Sequence, residues 1–505
     1  MEARRPRPPA HSCSTKPSED AHHMSTFSTL NGALTSLIAQ RQALEIAGQN
    51  IANVNTPGYT RQRANLQAIE GVAPASMTSG PQGALNGGVL VSSIDRLGDI
   101  FLEARVRHES SSASFLKAVA DTHALLESTI AEPGEKGLAA QLDTFFNSWQ
   151  DVANRPDDDA ARAVLLENAN TLVARIASGY QAVETQWQAT RTQAGALATE
   201  VNTAAAAVAD LNARIKAITV SGGSPNALID QRNQVLTQLS GLVGAEARLR
   251  EDGTVDVMVG GNALVRGENA HRVVVQGARI LRDVDDPLPT EAKGQVRLLW
   301  ADSASEVGAT GGRLAGLLSV LAPSNTAGTG GAIAELANSL NSLVTNTDAT
   351  GLADVVNDQH GKGVPPSGVI KSFFDIRAGE APALGLHVGI TDVADVAAAA
   401  PDAGDRDGSN ADEISRLTRD VGALWSRTVV DLGVSARTAT QRATNAEATR
   451  AVADGLLTAQ AGVNLDEETV NLMAYQRAYE AAARVITSVD QILDTLINRT
   501  GVVGR

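Results

Sequence analysis

The sequence predicts a mainly α-helical protein with a β-rich insertion. Apolar residues recur every seven positions near both ends of the 505-residue chain, the spacing that lets a helix lie along another in a coiled coil. Its hydrophobic fraction of 43% is mostly Ala, Val and Leu, and only 3% of residues are aromatic. Short β-branched segments separated by Gly and Asp turns are concentrated between residues 244 and 408. We therefore expect a terminal α-helical coiled coil, a domain of long bundled helices and an outward β-containing domain.

Residues 1–23 differ in composition from the rest of the chain. They contain four prolines, clustered charges and Cys13, the only cysteine. They lack the apolar segment of a secretory signal peptide. We expect either a disordered native tail or a misannotated extension upstream of a true start at Met24. The heptad pattern begins within a few residues of Met24, which favours the second interpretation.

The segments 24–60 and 462–505 are predicted to be terminal coiled-coil helices. Their apolar stripes recur at the heptad spacing, so we expect the two ends to pair with each other or with copies of themselves. One helix is predicted over residues 27–53. The predicted stripes are Leu30, Leu37, Leu44 and Ile51 at the front, and Leu465, Leu472, Tyr479, Ile486 and Leu493 at the back.

A turn is predicted directly after the first helix. Pro57 fixes its own φ and pushes the preceding residue out of the helical region, so the helix must end before it. Gly58 then tolerates the positive φ that a type II turn requires at its third position.

The middle of the chain predicts a bundle interrupted by an insertion. Residues 61–98 alternate, with Gly and Pro at intervals, and include a strand candidate over 88–94. Helical periodicity resumes near Asp99, continues to about residue 243 and returns over 409–461. We assign 61–243 and 409–461 to the bundle and expect Trp149 and Trp187 to anchor its core. Residues 244–408 are predicted to form the β-rich insertion, with a helical segment near 312–347. Because the insertion separates two helical stretches, these stretches must meet in space and the insertion must project outward.

Charge and motif content argue against several classes of function. The net charge is −15 and no long basic cluster occurs in the body of the chain, so we expect no nucleic-acid partner. No 18-residue strongly apolar run occurs, so no membrane insertion is expected. The eight histidines are scattered, and no phosphate-binding, metal-binding or nucleophile motif stands out. We predict no catalytic, cofactor or metal site.

The two ends resemble one protein family. The segment NIANVNTPGYTRQ (residues 50–62), with Asn53, Pro57, Gly58 and Tyr59, is similar to the N-terminal signature of the flagellar rod, hook and hook-associated proteins. The segment GVNLDEETVNLMAYQRAYEAAARVITSVDQILDTLI (residues 462–497) is similar to their C-terminal signature. The resemblance implies that both terminal helices line the channel of the axial structure and form an assembly interface.

Three internal segments favour one branch of that family. Residues 142–176, 226–265 and 311–318 resemble hook-associated proteins of the hook–filament junction more than hook or rod subunits. The resemblance implies secretion by the flagellar type III apparatus and self-association in a ring. It also implies contacts with the hook protein, the adjacent junction protein and the filament, and an export chaperone on the C-terminal helix. A hook or distal rod subunit is the first alternative. A secreted peptidoglycan hydrolase fused to an axial scaffold is the second.

Overall fold

The computed structural model describes residues 26–69, 88–285, 293–325, 327, 329–404 and 406–499. The expectations for residues 1–23 lie outside these ranges. The chain divides into two compact units, which we call the terminal unit (Met1–Leu97 with Val463–Arg505) and the central unit (Gly98–Gly462).

Helices make up most of the described chain. A π-helical turn, Thr495–Arg499, continues the last of them. The α-helices are α1 (Thr26–Ala52), α2 (Ile100–Ile130), α3 (Leu138–Asn154), α4 (Asp159–Val220), α5 (Asn226–Val243), α6 (Gly312–Val320), α7 (Ala332–Val344), α8 (Leu352–His360), α9 (Pro382–Gly385), α10 (Ser409–Arg416), α11 (Thr418–Ala461) and α12 (Leu465–Asp494).

The described strands form small antiparallel sheets. The strands are β1 (Gln62–Ile69), β2 (Gly88–Arg96), β3 (Glu246–Leu249), β4 (Val255–Val259), β5 (Asn262–Arg266), β6 (Asn269–Ala270), β7 (Val273–Gln276), β8 (Arg297–Trp300), β9 (Phe374–Ile376) and β10 (Leu386–Val388). Strand β1 pairs with β2, β7 with β8 and β9 with β10, and β3 to β6 form a four-stranded meander. The predicted fold class, mainly α with β structure in the middle of the chain, is confirmed.

Side-chain caps explain where several helices begin. The Asp158 carboxylate accepts a hydrogen bond from Ala160 N (2.9 Å) at the start of α4. The Asn464 side chain accepts from the backbone N–H groups of Asp466 (2.9 Å) and Glu467 (3.3 Å) at the start of α12. These caps satisfy amides that have no partner inside the helix.

The central unit is organised around α4, which is 62 residues long. Helices α3, α5 and α7 pack on it, and so do strands β5, β7 and β10. Trp149 and Trp187 are both fully buried, which confirms their prediction as core residues. Helix α2 packs along α11, so the two helical stretches on either side of residues 244–408 do meet. The buried residues of the bundle and of the β-containing region form one continuous hydrophobic cluster.

The boundaries of the compact units differ from the predicted domain boundaries. We expected residues 61–98 to belong to the bundle, but β1 and β2 fall within the terminal unit. The physical reason is their packing: Ala64 is buried with Ala43 and Ile46 of α1, and Val91 and Ile94 cover this cluster. The predicted insertion at 244–408 likewise falls within the central unit and shares its core.

Candidate assembly site in the terminal unit

Helices α1 and α12 run in opposite directions along each other. Asn50, near the end of α1, donates a hydrogen bond to Glu468 near the start of α12 (Nδ2 to Oε2, 3.0 Å). Tyr475, seven residues further along α12, packs against Ala43 and Ile46, which lie earlier in α1. This register makes the pair antiparallel and places the N-terminal and C-terminal helices side by side.

Asn50 lies at the centre of a buried polar cluster. The residue is 1% exposed, and its side-chain amide nitrogen also donates to the carbonyl oxygen of Gln62 (2.8 Å). Its side-chain oxygen accepts from the Tyr59 hydroxyl (2.9 Å) and from the backbone N–H of Gln62 (3.0 Å). All four bonds link the end of α1 to the segment that follows it or to α12. Because the amide is buried, losing any partner would leave an unsatisfied polar group.

Arg61 extends this cluster with two charged hydrogen bonds. Its Nε donates to Glu468 (2.7 Å), a carboxylate that is only 3% exposed, and its Nη1 donates to Glu467 (2.6 Å). Burial lowers the pKa of Arg61, but the hydrogen bonds and negative charges of Glu467 and Glu468 outweigh this effect and raise it. The guanidinium therefore stays charged and balances the buried carboxylate. We call the cluster the terminal knot; its members are Asn50, Tyr59, Arg61, Gln62, Glu467 and Glu468.

The turn after α1 positions the side chains of Tyr59 and Arg61 in the knot. Gly58 has a φ of 77°, which confirms the predicted positive φ, and Tyr59 N donates to Thr56 O (3.2 Å) across the turn. Asn53 supports the turn, because its side chain donates to Gln49 O (2.9 Å) and accepts from the Thr56 hydroxyl (3.1 Å). Pro57 and Gly58 themselves are exposed.

The face of α12 that packs toward α1 contains most of the predicted C-terminal stripe. Its most buried apolar residues are Ala482 and Val489, each at most 7% exposed. Leu472, Ile486 and Leu493 are half-buried beside them. Tyr479 lies at the edge of this face at 36% exposed, whereas Leu465 is 47% exposed. We call this face the inner seam of α12; its positions are Glu468, Leu472, Tyr475, Tyr479, Ala482, Ile486, Val489 and Leu493.

The buried face of α1 differs from the predicted stripe. Ala39 and Ala43 are each 1% exposed, and Ile46 and Asn50 are also buried. This inner seam of α1 has the positions Ala39, Ala43, Ile46 and Asn50, and Ala33 and Ala47 are buried beside it. The predicted residues Leu30, Leu37, Leu44 and Ile51 are only half-buried. Within one chain the most buried positions of α1 are therefore smaller than the leucines of the predicted stripe, and the stripe stays a prediction for contacts with copies of the chain.

Sequence reasoning missed most of the terminal knot. Asn50, Arg61 and Gln62 all lie within the N-terminal motif, and Glu467 and Glu468 lie within the C-terminal one. A search for apolar heptads passes over Asn50 and Glu468, although both occupy seam positions. A polar residue at a seam position is itself a signal, since such residues are used to set the register of a helix pair.

Grouped metal ligands and membrane-spanning helices are absent from the described residues. Within these ranges no three His, Cys, Asp or Glu side chains are grouped so that they could hold a metal ion. No helix in the same ranges is both long and apolar enough to cross a membrane.

Family models match both ends of the chain, where the inner seams and the knot lie. Residues 30–60 match the model described as "Flagella basal body rod protein". Residues 457–499 match "Flagellar basal body rod FlgEFG protein C-terminal". The paired terminal helices and these matches define a structural protein of the bacterial flagellum.

Matches to the middle of the chain identify the family within this class. Residues 124–374 match the model described as "Flagellar hook-associated protein FlgK helical domain". The flagellar hook-associated protein 1 of Bacillus subtilis (strain 168) is 28% identical, over 95% of this chain and 100% of the relative. That of Escherichia coli (strain K12) is 27% identical, over 93% of this chain and 99% of the relative. The chain belongs to the flagellar hook-associated protein 1 (FlgK) family.

A solved structure shares the fold. The flagellar hook junction protein FlgK from Burkholderia pseudomallei superposes with a TM-score of 0.57 and 16% sequence identity. The match covers 71% of this chain and 99% of that structure. At this identity the likeness shows the fold alone.

Proposed function

We propose that the chain joins the hook to the filament as a junction protein. It is exported by the flagellar type III system and self-associates in a ring through its terminal helices. The ring contacts the hook protein on one side, and the adjacent junction protein and filament on the other. Before secretion, an export chaperone covers the C-terminal helix.

The observation that carries this proposal is the incomplete burial of the terminal helices. Their inner seams and the knot fix the helix pair, yet large apolar side chains remain in contact with water. Leu34 and Ile38 of α1 are 46% and 51% exposed, and Val470 and Ile492 of α12 are 60% and 49% exposed. Covering such side chains is favourable by roughly 25 cal/mol per Å² of apolar area. Neighbouring subunits supply that cover when the protein assembles.

The predicted interface residues divide into two roles under this proposal. Leu30, Leu37, Leu44 and Ile51 remain partly exposed on α1 and are free to contact a neighbour. The residues of the turn and of the α12 inner seam hold the helix pair in the shape that assembles. The residues in this second role are Asn53, Pro57, Gly58, Tyr59, Leu472, Tyr479, Ile486 and Leu493. Leu465 lies exposed at the start of α12.

Two findings favour the junction over a hook or rod subunit. The match to the helical domain of the hook-associated protein spans residues 124–374, outside the terminal segments that rod proteins share. The relatives from Bacillus subtilis and Escherichia coli that align over nearly the whole chain are themselves hook-associated proteins.

Deletion of the gene, followed by electron microscopy of the cells, tests the proposal. We expect intact hooks without filaments, and filament subunits in the culture medium, because subunits still pass through the channel but have no junction on which to polymerise. Expression of the unmodified chain should restore the filaments. Normal filaments in the deletion strain would contradict the proposal. Loss of the hooks themselves would favour the rod or hook alternative.

A further inference from the structure

His360, at the end of α8, is a fully buried histidine of the central unit. Its Nδ1 lies 3.1 Å from the main-chain oxygen of Lys371, and its Nε2 accepts a hydrogen bond from the backbone N–H of Ala397 (3.0 Å). A neutral ring with its proton on Nδ1 makes both bonds. The ring therefore binds the main chain of two segments, which lie 11 and 37 positions further along the chain.

These two segments also bind each other. Val364 N donates a hydrogen bond to Ala399 O (2.8 Å). The Lys371 ammonium donates to the carboxylate of Asp395 (2.8 Å). His360 thus lies under a pair of joined segments and contacts both. We call this pair the flap; it consists of residues 364–371 and 394–399.

One half of the flap is exposed and the other half is buried. Seven of the eight residues in the segment 364–371 are exposed. In the second segment, Val396, Ala397 and Ala398 are each at most 1% exposed. The Asn410 side chain of α10 donates to Ala397 O (2.7 Å), so α8 and α10 hold the two polar groups of this residue. Because Ala397 N–H is buried, it needs the acceptor that His360 supplies.

The charges near the ring leave its state to the solvent pH. Of the charged side chains that the structure describes, Asp395 is the one that acts on the His360 ring, and its charge favours the protonated form. The hydrogen bond from Lys371 lowers the pKa of Asp395, which therefore stays ionised at pH 5. Next to the ring along the chain, Asp358 and Lys362 are both exposed and pair with each other (2.6 Å).

A protonated His360 does not fit this arrangement. Its Nε2 would carry a hydrogen that faces the N–H of Ala397, so two donors would meet. The ring also packs against the uncharged rings of Trp149 and Phe373, at centroid distances of 6.1 and 5.6 Å, where an added charge is poorly solvated. Burial lowers the pKa of His360 to about 4, and hydrogen bonding and the nearby carboxylate offset this only in part.

We propose that His360 is an acid-operated latch that holds the flap on the helices of the central unit. With a neutral ring, both segments of the flap are bound and the flap is closed. When the ring takes a proton from the solvent at Nε2, it releases Ala397 N–H, and the flap opens while the surrounding helices stay folded. The latch is separate from the terminal helices and from the proposed junction function.

Hydrogen exchange of the purified full chain at pH 7.5 and pH 5.0, followed by mass spectrometry, tests the latch. The rates are corrected for the intrinsic pH dependence of amide exchange. The opening equilibrium of peptides that cover residues 394–399 should rise roughly thirtyfold at pH 5.0. This factor follows from a ring that titrates near 6.5 when the flap is open and near 4 when it is closed.

Two variants show whether His360 causes this rise. In His360→Gln the amide can accept from Ala397 N and donate to Lys371 O but does not titrate, so the rise should be lost. His271→Gln is the matched control, because the His271 side chain is 48% exposed, and the rise should remain.

Three results would overturn the latch. The first is an opening equilibrium of residues 394–399 that is the same at both pH values. The second is equal exchange of these residues and of the buried residues of α4 at pH 5.0, since the flap would then open only when the whole central unit unfolds. The third is an undiminished rise in folded His360→Gln. The first two are measured on the unmodified chain, so they decide the matter even if His360→Gln fails to fold.

Discussion

Asn50 occupies a seam position where coiled coils usually place an apolar side chain. Its amide is stable there because four hydrogen bonds replace those that it would make to water. The same four bonds tie the end of α1 to the turn that follows it and to the start of α12, which is 418 positions away in sequence. At the residue scale, register is therefore set by one buried amide and by the Arg61–Glu468 ion pair beside it.

Replacing Asn50 by Leu should uncouple the two terminal helices. A leucine side chain cannot form hydrogen bonds with Tyr59, Gln62 or Glu468. Each buried polar group that loses its hydrogen-bond partner lowers the stability by about 1–3 kcal/mol. We expect faster hydrogen exchange in α1 and α12, with the central unit unaffected. Gln49→Leu is the control, since Gln49 is exposed next to Asn50. Unchanged protection of both helices in Asn50→Leu would show that the knot does not hold the pair together.

His360 should make the stability of the central unit depend on pH. It is fully buried, its Nδ1 lies 3.1 Å from Lys371 O, and its Nε2 accepts a hydrogen bond from Ala397 N (3.0 Å). This arrangement requires a neutral ring with the proton on Nδ1. Burial lowers the pKa of His360 to about 4, although hydrogen bonding to Lys371 and the charge of nearby Asp395 act in the opposite direction.

The sign of this pH dependence follows from proton binding. Between about pH 6.5 and pH 4 the unfolded chain binds a proton at His360 and the folded chain does not, so stability falls as the pH falls. The loss approaches about 3 kcal/mol once the pH is below the folded pKa. Denaturant unfolding from pH 7.5 to 4.5 measures it. His360→Gln should flatten the slope, and His271→Gln, at a largely exposed ring, should not. Equal slopes in both variants would contradict the assignment.

At the scale of elements, α1 and α12 differ in how well the sequence predicted their packing. The heptad of α12 coincides with its inner seam, because its large apolar residues and its buried residues lie on one face. In α1 most of the large apolar residues lie on a different face from the buried ones. The heptad pattern of leucines therefore identified the half-buried face of α1 and not the buried one. An alanine at 1% exposure looks the same in sequence as an alanine on the surface, and only the position of the partner helix separates them.

The two faces of α1 should therefore respond differently to substitution. Ala43→Leu inserts three carbons into the inner seam, and overpacking of this kind typically costs about 1–3 kcal/mol. Leu37→Ala removes a half-buried side chain from the leucine face of α1 and should lower the stability of the monomer less. The thermal unfolding of α1 and α12, followed by hydrogen exchange, compares them. Greater destabilisation by Leu37→Ala would mean that the leucine face is the intrachain seam after all.

At the scale of the whole molecule, helix Asp159–Val220 holds the β-containing region to the bundle. Asn212 on this helix is fully buried and donates to Val255 O (2.8 Å) and Gly267 O (2.7 Å). Its oxygen accepts from Val255 N (3.1 Å) and from Arg232 (3.0 Å). Helical and strand content could be predicted from periodicity and turns. These attachments could not, because they join residues 20 to 55 positions apart.

Limited proteolysis of the dilute monomer should separate the two compact units. Among the described residues, the buried apolar cluster of the terminal unit consists of Ala43, Ile46 and Ala64, whereas that of the central unit runs through the bundle and the β-containing region. A small core gives a low free energy of local opening, so cleavage should be concentrated in the terminal segments. We expect a resistant fragment close to residues 98–462, identified by mass spectrometry.

The Asn50→Leu variant tests whether the knot limits this proteolysis. Loss of the knot should speed removal of the terminal segments without changing the resistant fragment. Assembly should have the opposite effect. Under the proposed function, neighbouring subunits cover the exposed apolar side chains of α1 and α12, so the terminal segments of isolated flagella should resist the same protease. If the terminal helices of a verified monomer were as resistant as residues 98–462, the inner seams and the knot would already provide the full stability of the helix pair. The exposed apolar side chains of both helices would then have no part in ordering it.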